Sequence, residues 1–173
     1  MNWKNIFIRV LLFVVVVFVT QSVFIAFIPR MVFGIAKHRF EQPLNTIIHA
    51  PRTDAKLRRV VLPNPDFIYS ACFFDVTQHD IILKGDFPDS SQYCSISFYD
   101  NEVQPFHVVN NCSGDKNFEI RLSSKNASGK TISKTLQGAA LLRILVTDSA
   151  QISEALRIQK LFSVAEIQKN NRQ

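Results

Sequence analysis

The sequence lacks the short motifs that mark several common classes of enzyme. It contains no G-x-S-x-G elbow, no P-loop and no H-E-x-x-H helix, and therefore no ready-made nucleophile, phosphate cradle or zinc-protease site. Cysteine is also scarce, since three residues permit at most one disulfide (Cys72, Cys94, Cys112). Neither the cysteines nor the four histidines have zinc-ligand spacing, so we predict no metal site and no cofactor.

Acidic side chains are nearly absent from the first third of the chain. Residues 1–62 hold nine Lys or Arg but only two acids, a balance of +7, whereas residues 63–173 hold eleven bases and twelve acids. The net charge of +6 is therefore concentrated near the amino terminus, and a nucleic-acid partner is not expected. There the bases can reach anionic lipid headgroups, where each contributes about 1 kcal/mol. The lipid bilayer is the first predicted partner.

Charge is absent altogether from residues 10–28, the run VLLFVVVVFVTQSVFIAFI between Arg9 and Arg30. A helix that rises roughly 1.5 Å per residue over this run covers the hydrocarbon core of a bilayer, so the run predicts a single membrane span. No small-x-small cleavage site follows it, and it is longer than the apolar region of a secretory signal, which favours an uncleaved anchor. The basic residues on its two sides nearly balance. We place the tail inside because the first residues are too few to form a domain.

The chain divides into three predicted parts. Residues 1–30 form a cytoplasmic tail and transmembrane anchor. Residues 31–59 form a juxtamembrane helix and basic linker, since apolar residues recur at near-helical spacing up to Phe40 and Pro43 ends the pattern. Residues 60–173 form one β-rich extracytoplasmic domain, because they are enough for a single core and too few for two.

Period-two patterning dominates this last part and predicts six strands (67–76, 80–84, 93–99, 105–109, 118–122, 139–146). In the third of them Cys94, Ile96 and Phe98 share one face, which predicts a half-buried strand. The last is apolar on both faces except for Arg143, which places it in the middle of a sheet. The fold class is therefore mainly β (α+β): one N-terminal transmembrane helix, then an antiparallel β-sheet or sandwich domain. Asp148 as helix cap, with Gln151 at the capping-box position, predicts a C-terminal helix that closes the domain.

The stretch Pro63-Asn64-Pro65-Asp66 is the most constrained in the chain. Two prolines fix φ, and the Asn and Asp side chains can bond back to the backbone. One interpretation is a rigid turn that leads into a buried strand. The other interpretation is that the rigid turn presents side chains to a ligand. The candidate ligand-binding residues are then Asn64 and Asp66 of the turn, Tyr69 of the following strand, and His49 and Arg52 of the preceding segment.

Three segments, 45–52 (NTIIHAPR), 60–72 (VVLPNPDFIYSAC) and 98–100 (FYD), resemble the bacterial domain-of-unknown-function family 1254. The likeness extends over about residues 30–165 and is strongest to the small, single-span form of the family. It implies a bacterial inner (cytoplasmic) membrane protein with a mainly antiparallel β domain in the periplasm. Longer relatives carry a second domain, of family 1214, in the same chain. The resemblance thus implies a companion, a small membrane protein that resembles the family-1214 domain.

Two functions follow as alternatives. The first is a membrane-anchored, non-catalytic envelope module that binds a partner. The second is a periplasmic hydrolase that uses His49, Asp66, Tyr69 and Ser70, with the serine as nucleophile within hydrogen-bond reach of the histidine. The two differ in geometry, because catalysis needs these side chains to converge on an open cleft.

Overall fold

A long helix, α1 (Trp3–Arg39), precedes a two-sheet domain in the computed structural model, which describes residues 3–40, 42–51, 63–88, 92–124, 131–133 and 135–168. By length and composition α1 could cross a membrane. It runs without interruption from the predicted span through Pro29 and into the segment predicted as a juxtamembrane helix. The hydroxyl groups of Thr20 and Ser22 donate to the carbonyl oxygens of Val16 and Phe18, each over 2.8 Å. These polar side chains are therefore satisfied within the helix, as a lipid environment requires.

Nine strands lie within the described residues, and in chain order they are β1 (Thr46–His49), β2 (Phe67–Asp75), β3 (His79–Asp86), β4 (Cys94–Asp100), β5 (Pro105–Asn110), β6 (Asn117–Ser123), β7 (Thr131–Ile132), β8 (Gln137–Leu145) and β9 (Ser163–Gln168). Sheet A has the order β1-β2-β8-β4-β5 and sheet B the order β7-β6-β3-β9. All pairings are antiparallel except the short β6–β7 pair. The predicted fold class is confirmed.

The core lies between the inner faces of the two sheets. Its largest fully buried side chains include Phe74 and Phe98 of sheet A and Leu83 of sheet B. Helix α2 (Ile152–Leu161) adds Ala155 and Ile158 to this core. The predicted capping box before α2 is present. The Asp148 carboxylate accepts a hydrogen bond from the backbone at N3, and the side-chain oxygen of Gln151 accepts one from the Asp148 backbone N–H.

Three local predictions differ from the structure. Strand β3 continues through Gly85 to Asp86, although the sequence predicted that it ends before the glycine. Gly85 allows the Phe118 ring to pack closely on the strand, because an added Cβ would lie 2.7 Å from that ring. Strand β4 is not half-buried, since Ser95 and Ser97 on its second face are 0% and 1% exposed. Three strands at the sheet edges, β1, β7 and β9, were not predicted. The strand β1 lies within the part that the sequence assigns to the linker 31–59, and it pairs with Phe73 through Ser70 of β2.

All three cysteines are free. Cys72 and Cys94 are buried in the core, as their apolar strand patterns predict, and Cys112 is exposed. Burial raises the pKa of both core thiols to about 12, so they remain uncharged at neutral pH. They act as small apolar side chains rather than as nucleophiles.

Candidate functional site

The turn that precedes β2 is closed by its own hydrogen bonds. The Asp66 backbone N–H donates to Asn64 Oδ1 over 2.9 Å, and the Phe67 N–H donates to the Asn64 carbonyl over 3.2 Å. The backbone N–H of Asn64 donates to the Tyr69 hydroxyl, also over 3.2 Å. Asn64 and Tyr69 are thus in contact, and the bonds between them lock the turn onto the start of β2.

The sheet places the other predicted site residues on different faces. His49 lies opposite Ser70 in the β1–β2 pairing, on the face that also carries Ile47 of the core. Tyr69 precedes Ser70 and therefore lies on the outer face of the same sheet. Arg52 lies outside the described residues. The structure thus joins His49 to Ser70 and Asn64 to Tyr69, in two separate pairs.

The side chains of His49 and Ser70 lie as close together as a general base and the nucleophile that it activates. His49 Nδ1 lies 2.9 Å from Ser70 Oγ, and burial lowers the pKa of His49, which favours the neutral ring. Two features oppose catalysis. Ser70 is only 1% exposed, and among the described residues no carboxylate bonds to the imidazole to orient it. Gln159 of α2 fixes the backbone on both sides of the pair, because its Nε2 donates to the carbonyl oxygens of Ala50 (3.0 Å) and Tyr69 (2.8 Å).

The carboxyl end of α1 is attached to sheet A. The Phe33 ring, 8% exposed, meets the Phe73 ring edge-on with centroids 5.8 Å apart, and Phe40 packs on the same ring at 5.6 Å. Two polar contacts flank this aromatic group. Arg30 Nη2 lies 2.6 Å from Glu102 Oε1 in the β4–β5 turn, and Lys37 Nζ donates to a glutamine oxygen of β8 over 3.2 Å. The helix and the domain therefore share a packed junction.

Asp75 lies at the centre of the polar side of this junction. Its carboxylate accepts from Gln137 Nε2 and from the Thr77 backbone N–H, each over 2.7 Å. Gln137 in turn accepts from Lys37, so a short chain of bonds joins β2 to α1. Burial acts to raise the pKa of Asp75, but the bonds from Thr77 and Gln137 and the charge of Lys37 outweigh it and hold this pKa below its usual range.

The outer face of sheet A, meaning the face turned away from sheet B, shows three cross-strand rows. The row next to α1 contains Phe73, and the α1 contacts fall at that end of the face. The middle row is mainly apolar and crosses all five strands (Ile48, Ala71, Leu141, Ser97, Val108). The far row is polar (Tyr69, Arg143, Ser95, Asn110). Val108, on edge strand β5, is 51% exposed.

Arg143 is the charged residue of the far row. Its Nη2 donates to Ser97 Oγ over 3.1 Å, whereas its Nε is buried and has no hydrogen-bond partner. The neighbouring Ser95 Oγ is likewise buried and without a partner. Among the described residues no carboxylate pairs with Arg143. The sequence carries one signal for this site, the single charge within the apolar run 139–146, but it does not show which residues face that charge.

Within the described ranges there is no cluster of three or more His, Cys, Asp or Glu side chains that could hold a metal ion. The fold and these sites together define a class of protein: a small two-sheet β domain joined directly to a long apolar N-terminal helix. The chain belongs to the family described as "Protein of unknown function (DUF1254)", whose model matches residues 44–166. The match includes β1 and extends into β9, so the edge strands are part of the family domain.

Two of the solved structures that resemble the chain show how far the likeness extends. The first is the VPA0106 protein from Vibrio parahaemolyticus, with a TM-score of 0.59 and 12% sequence identity over 80% of this chain. The second is a putative uncharacterized protein from Burkholderia cenocepacia, with a TM-score of 0.47 and 14% identity over 82% of this chain. This chain spans 36% of the first protein and 41% of the second. A search of curated proteins finds no match.

Proposed function

We propose that this protein is a non-catalytic interaction module of the bacterial envelope. Helix α1 anchors it in the inner (cytoplasmic) membrane, the domain lies in the periplasm, and the outer face of sheet A receives a companion small membrane protein that resembles the family-1214 domain. One observation carries the proposal. The helix is packed onto one end of that face and leaves beyond its contacts a mainly apolar row that crosses the five strands and ends at the exposed Val108.

The proposed membrane anchor would favour binding to a companion that is anchored in the same membrane. Two membrane anchors would confine both proteins to the plane of the bilayer and raise their effective concentration, which strengthens binding without any new contact. The mainly apolar row would supply the contact itself, because its half-buried side chains end at the exposed Val108 and an apolar face can pack against a partner.

Copurification tests the proposal. The full chain and a membrane protein of the family-1214 type are co-expressed, and the tagged chain is recovered from detergent-solubilised membranes. We expect the two to elute together, and Val108→Asp to abolish the association by placing a charge in the apolar row. Leu161→Asp is the matched control, because Leu161 is 41% exposed and lies at the end of α2 rather than on sheet A. Loss of the companion in both variants, or in neither, would contradict this surface assignment.

The alternative function is a periplasmic hydrolase that uses His49 and Ser70, with Asp66 and Tyr69 as neighbours. The 2.9 Å contact between His49 Nδ1 and Ser70 Oγ favours it. The burial of Ser70 opposes it, because a nucleophile must reach its substrate. A fluorophosphonate probe separates the two functions: we expect equal, background labelling of the natural protein and of Ser70→Ala, whereas labelling that Ser70→Ala removes would establish the hydrolase.

A further inference from the structure

The turn between β4 and β5 lies at the end of the α1 junction that is nearer to the predicted membrane span. The span ends at Ile28, and the first contact beyond it is that of Arg30 with Glu102 in this turn. The helix then ends beside Phe73 of β2, and the chain continues into β1. Helix α1 therefore crosses sheet A from the β4–β5 side to the β1 side. If α1 spans a bilayer, this turn is on the bilayer side of the domain.

The short distance along α1 brings the turn within reach of the lipid headgroups. Arg30 follows Ile28 by two residues, a rise of about 3 Å, whereas the headgroup layer is about 5–7 Å deep on each side of the hydrocarbon core. The Arg30 guanidinium lies 2.6 Å from Glu102 Oε1, so it ties the turn to this level. Its positive charge also compensates that of Glu102, which reduces the repulsion between this acid and anionic lipids.

Val103 is an exposed apolar residue at the tip of the turn. It is 42% exposed and has a φ of 61°. A positive φ is rare for a β-branched residue because of steric crowding, whereas glycine and asparagine adopt it more readily. The turn therefore keeps an apolar side chain in an exposed position where a less apolar residue would be less strained. Strain of this kind is often retained at functional contacts.

Hydrogen bonds close the backbone of the turn. The Asp100 carboxylate accepts from the N–H groups of Glu102 and Gln104, each over 2.9 Å. The Asp100 carbonyl oxygen accepts from the Val103 N–H over 3.0 Å. These bonds hold the tip in place and satisfy the backbone donors around Val103. An apolar side chain can then enter a lipid interface without carrying unsatisfied N–H groups with it.

We propose that the β4–β5 turn is a membrane contact, in which Val103 enters the headgroup layer of the bilayer that α1 crosses. The inference rests on the anchor of the proposed function and goes beyond it, because it fixes how the domain stands on the membrane. Edge strand β5 then lies next to the bilayer, which shields the outer edge of that strand. The outer face of sheet A stands upright beside α1 and is open toward a neighbour in the same membrane.

Spin-label accessibility tests this contact in the full chain, reconstituted in vesicles of phosphatidylethanolamine and phosphatidylglycerol. Cys112→Ser leaves only the two buried thiols, so one introduced cysteine takes the label. We expect a label at Val103→Cys to collide less with a water-soluble nickel chelate, and more with lipid-soluble oxygen, than a label at Leu161→Cys. Leu161 is a matched control, because it is 41% exposed and lies at the end of α2. Helix α2 bonds to Ala50, which follows β1 at the edge of sheet A opposite to β5.

A third label, at Val19→Cys in the predicted span, separates this inference from the anchor on which it rests. Protection of positions 19 and 103 from the chelate, with position 161 accessible, would support both. Protection of position 19, with position 103 no better protected than position 161, would overturn the membrane contact and leave the anchor in place. Access of the chelate to position 19 would overturn the anchor and the inference together.

A further set of variants tests the Val103 side chain itself. The label is placed at Gln104→Cys, an exposed position beside an intact Val103, which also serves if Val103→Cys fails to fold. Val103→Asn tolerates the positive φ but removes the apolar group, so we expect it to raise the access of the chelate to position 104. Leu161→Asn is the control and should leave that access unchanged. Equal access with Val103 and with Val103→Asn would overturn the membrane contact of this side chain.

Discussion

The Phe33 ring of α1 packs edge-on against the Phe73 ring of β2, with ring centroids 5.8 Å apart and an interplanar angle of 68°. This contact joins the apolar N-terminal helix to the outer face of sheet A. It is the geometry that aromatic pairs prefer, and Phe33 is 8% exposed whereas Met31 and Ile35 on the same helix are more than half exposed. The helix therefore has a domain-facing side and a free side.

Phe33→Ala should loosen this junction. We expect the free energy of unfolding in detergent to fall by about 3 kcal/mol, at the lower end for a buried phenylalanine, because the pair lies on the sheet surface rather than in the core. Ile35→Ala is the control and should have little effect, since Ile35 is 51% exposed. Equal losses in the two variants would show that the aromatic contact does not hold the helix to the domain.

Phe98→Ala should destabilise the domain by about 3–5 kcal/mol, because a fully buried aromatic ring is lost and a cavity remains. Ser97→Ala, one position away on the opposite face, should cost about 1 kcal/mol through loss of its bond from Arg143. Chemical denaturation of both variants gives the comparison. Similar values would mean that the two faces of β4 have been assigned wrongly.

The lowered pKa of Asp75 predicts an acid-dependent contribution to stability. A carboxyl group with a folded-state pKa below its unfolded value of about 3.9 stabilises the fold above that value and loses this effect as pH falls through the folded pKa. The difference in stability between the natural protein and Asp75→Asn should therefore be largest near neutral pH and shrink below about pH 4. A difference that stayed constant between pH 7 and pH 3 would contradict the contribution of Asp75.

Thiol labelling should separate the three cysteines. At pH 8 a maleimide should modify Cys112 rapidly and leave Cys72 and Cys94 unmodified, because both are buried and their pKa values are about 12. Mass spectrometry after denaturation with labelling should then show three modified cysteines. Rapid triple labelling of the folded chain would be incompatible with this core.

The sequence predicted the elements whose patterns are local. Strand β4 alternates clearly, β8 is a short apolar run, β2 is rich in aromatic residues, and the Asp148 capping box lies within four residues. Strand β1 escaped prediction because its four residues gain their order from pairing with β2 rather than from their own pattern. The buried state of Ser95 and the contact between His49 and Ser70 also depend on pairing between distant segments. The sequence therefore revealed the charge of Arg143 but not its unpaired neighbour.

The central claim, that α1 anchors the domain on the periplasmic side of the inner membrane, is tested most directly by a phosphatase fused to the carboxyl end of the full chain. This reporter is active only outside the cytoplasm. The account predicts high phosphatase activity in the membrane fraction. It also predicts no fluorescence from a matched fusion to a fluorescent protein that matures only in the cytoplasm. An inactive phosphatase with a bright fluorescent fusion would place the domain in the cytoplasm and contradict the account.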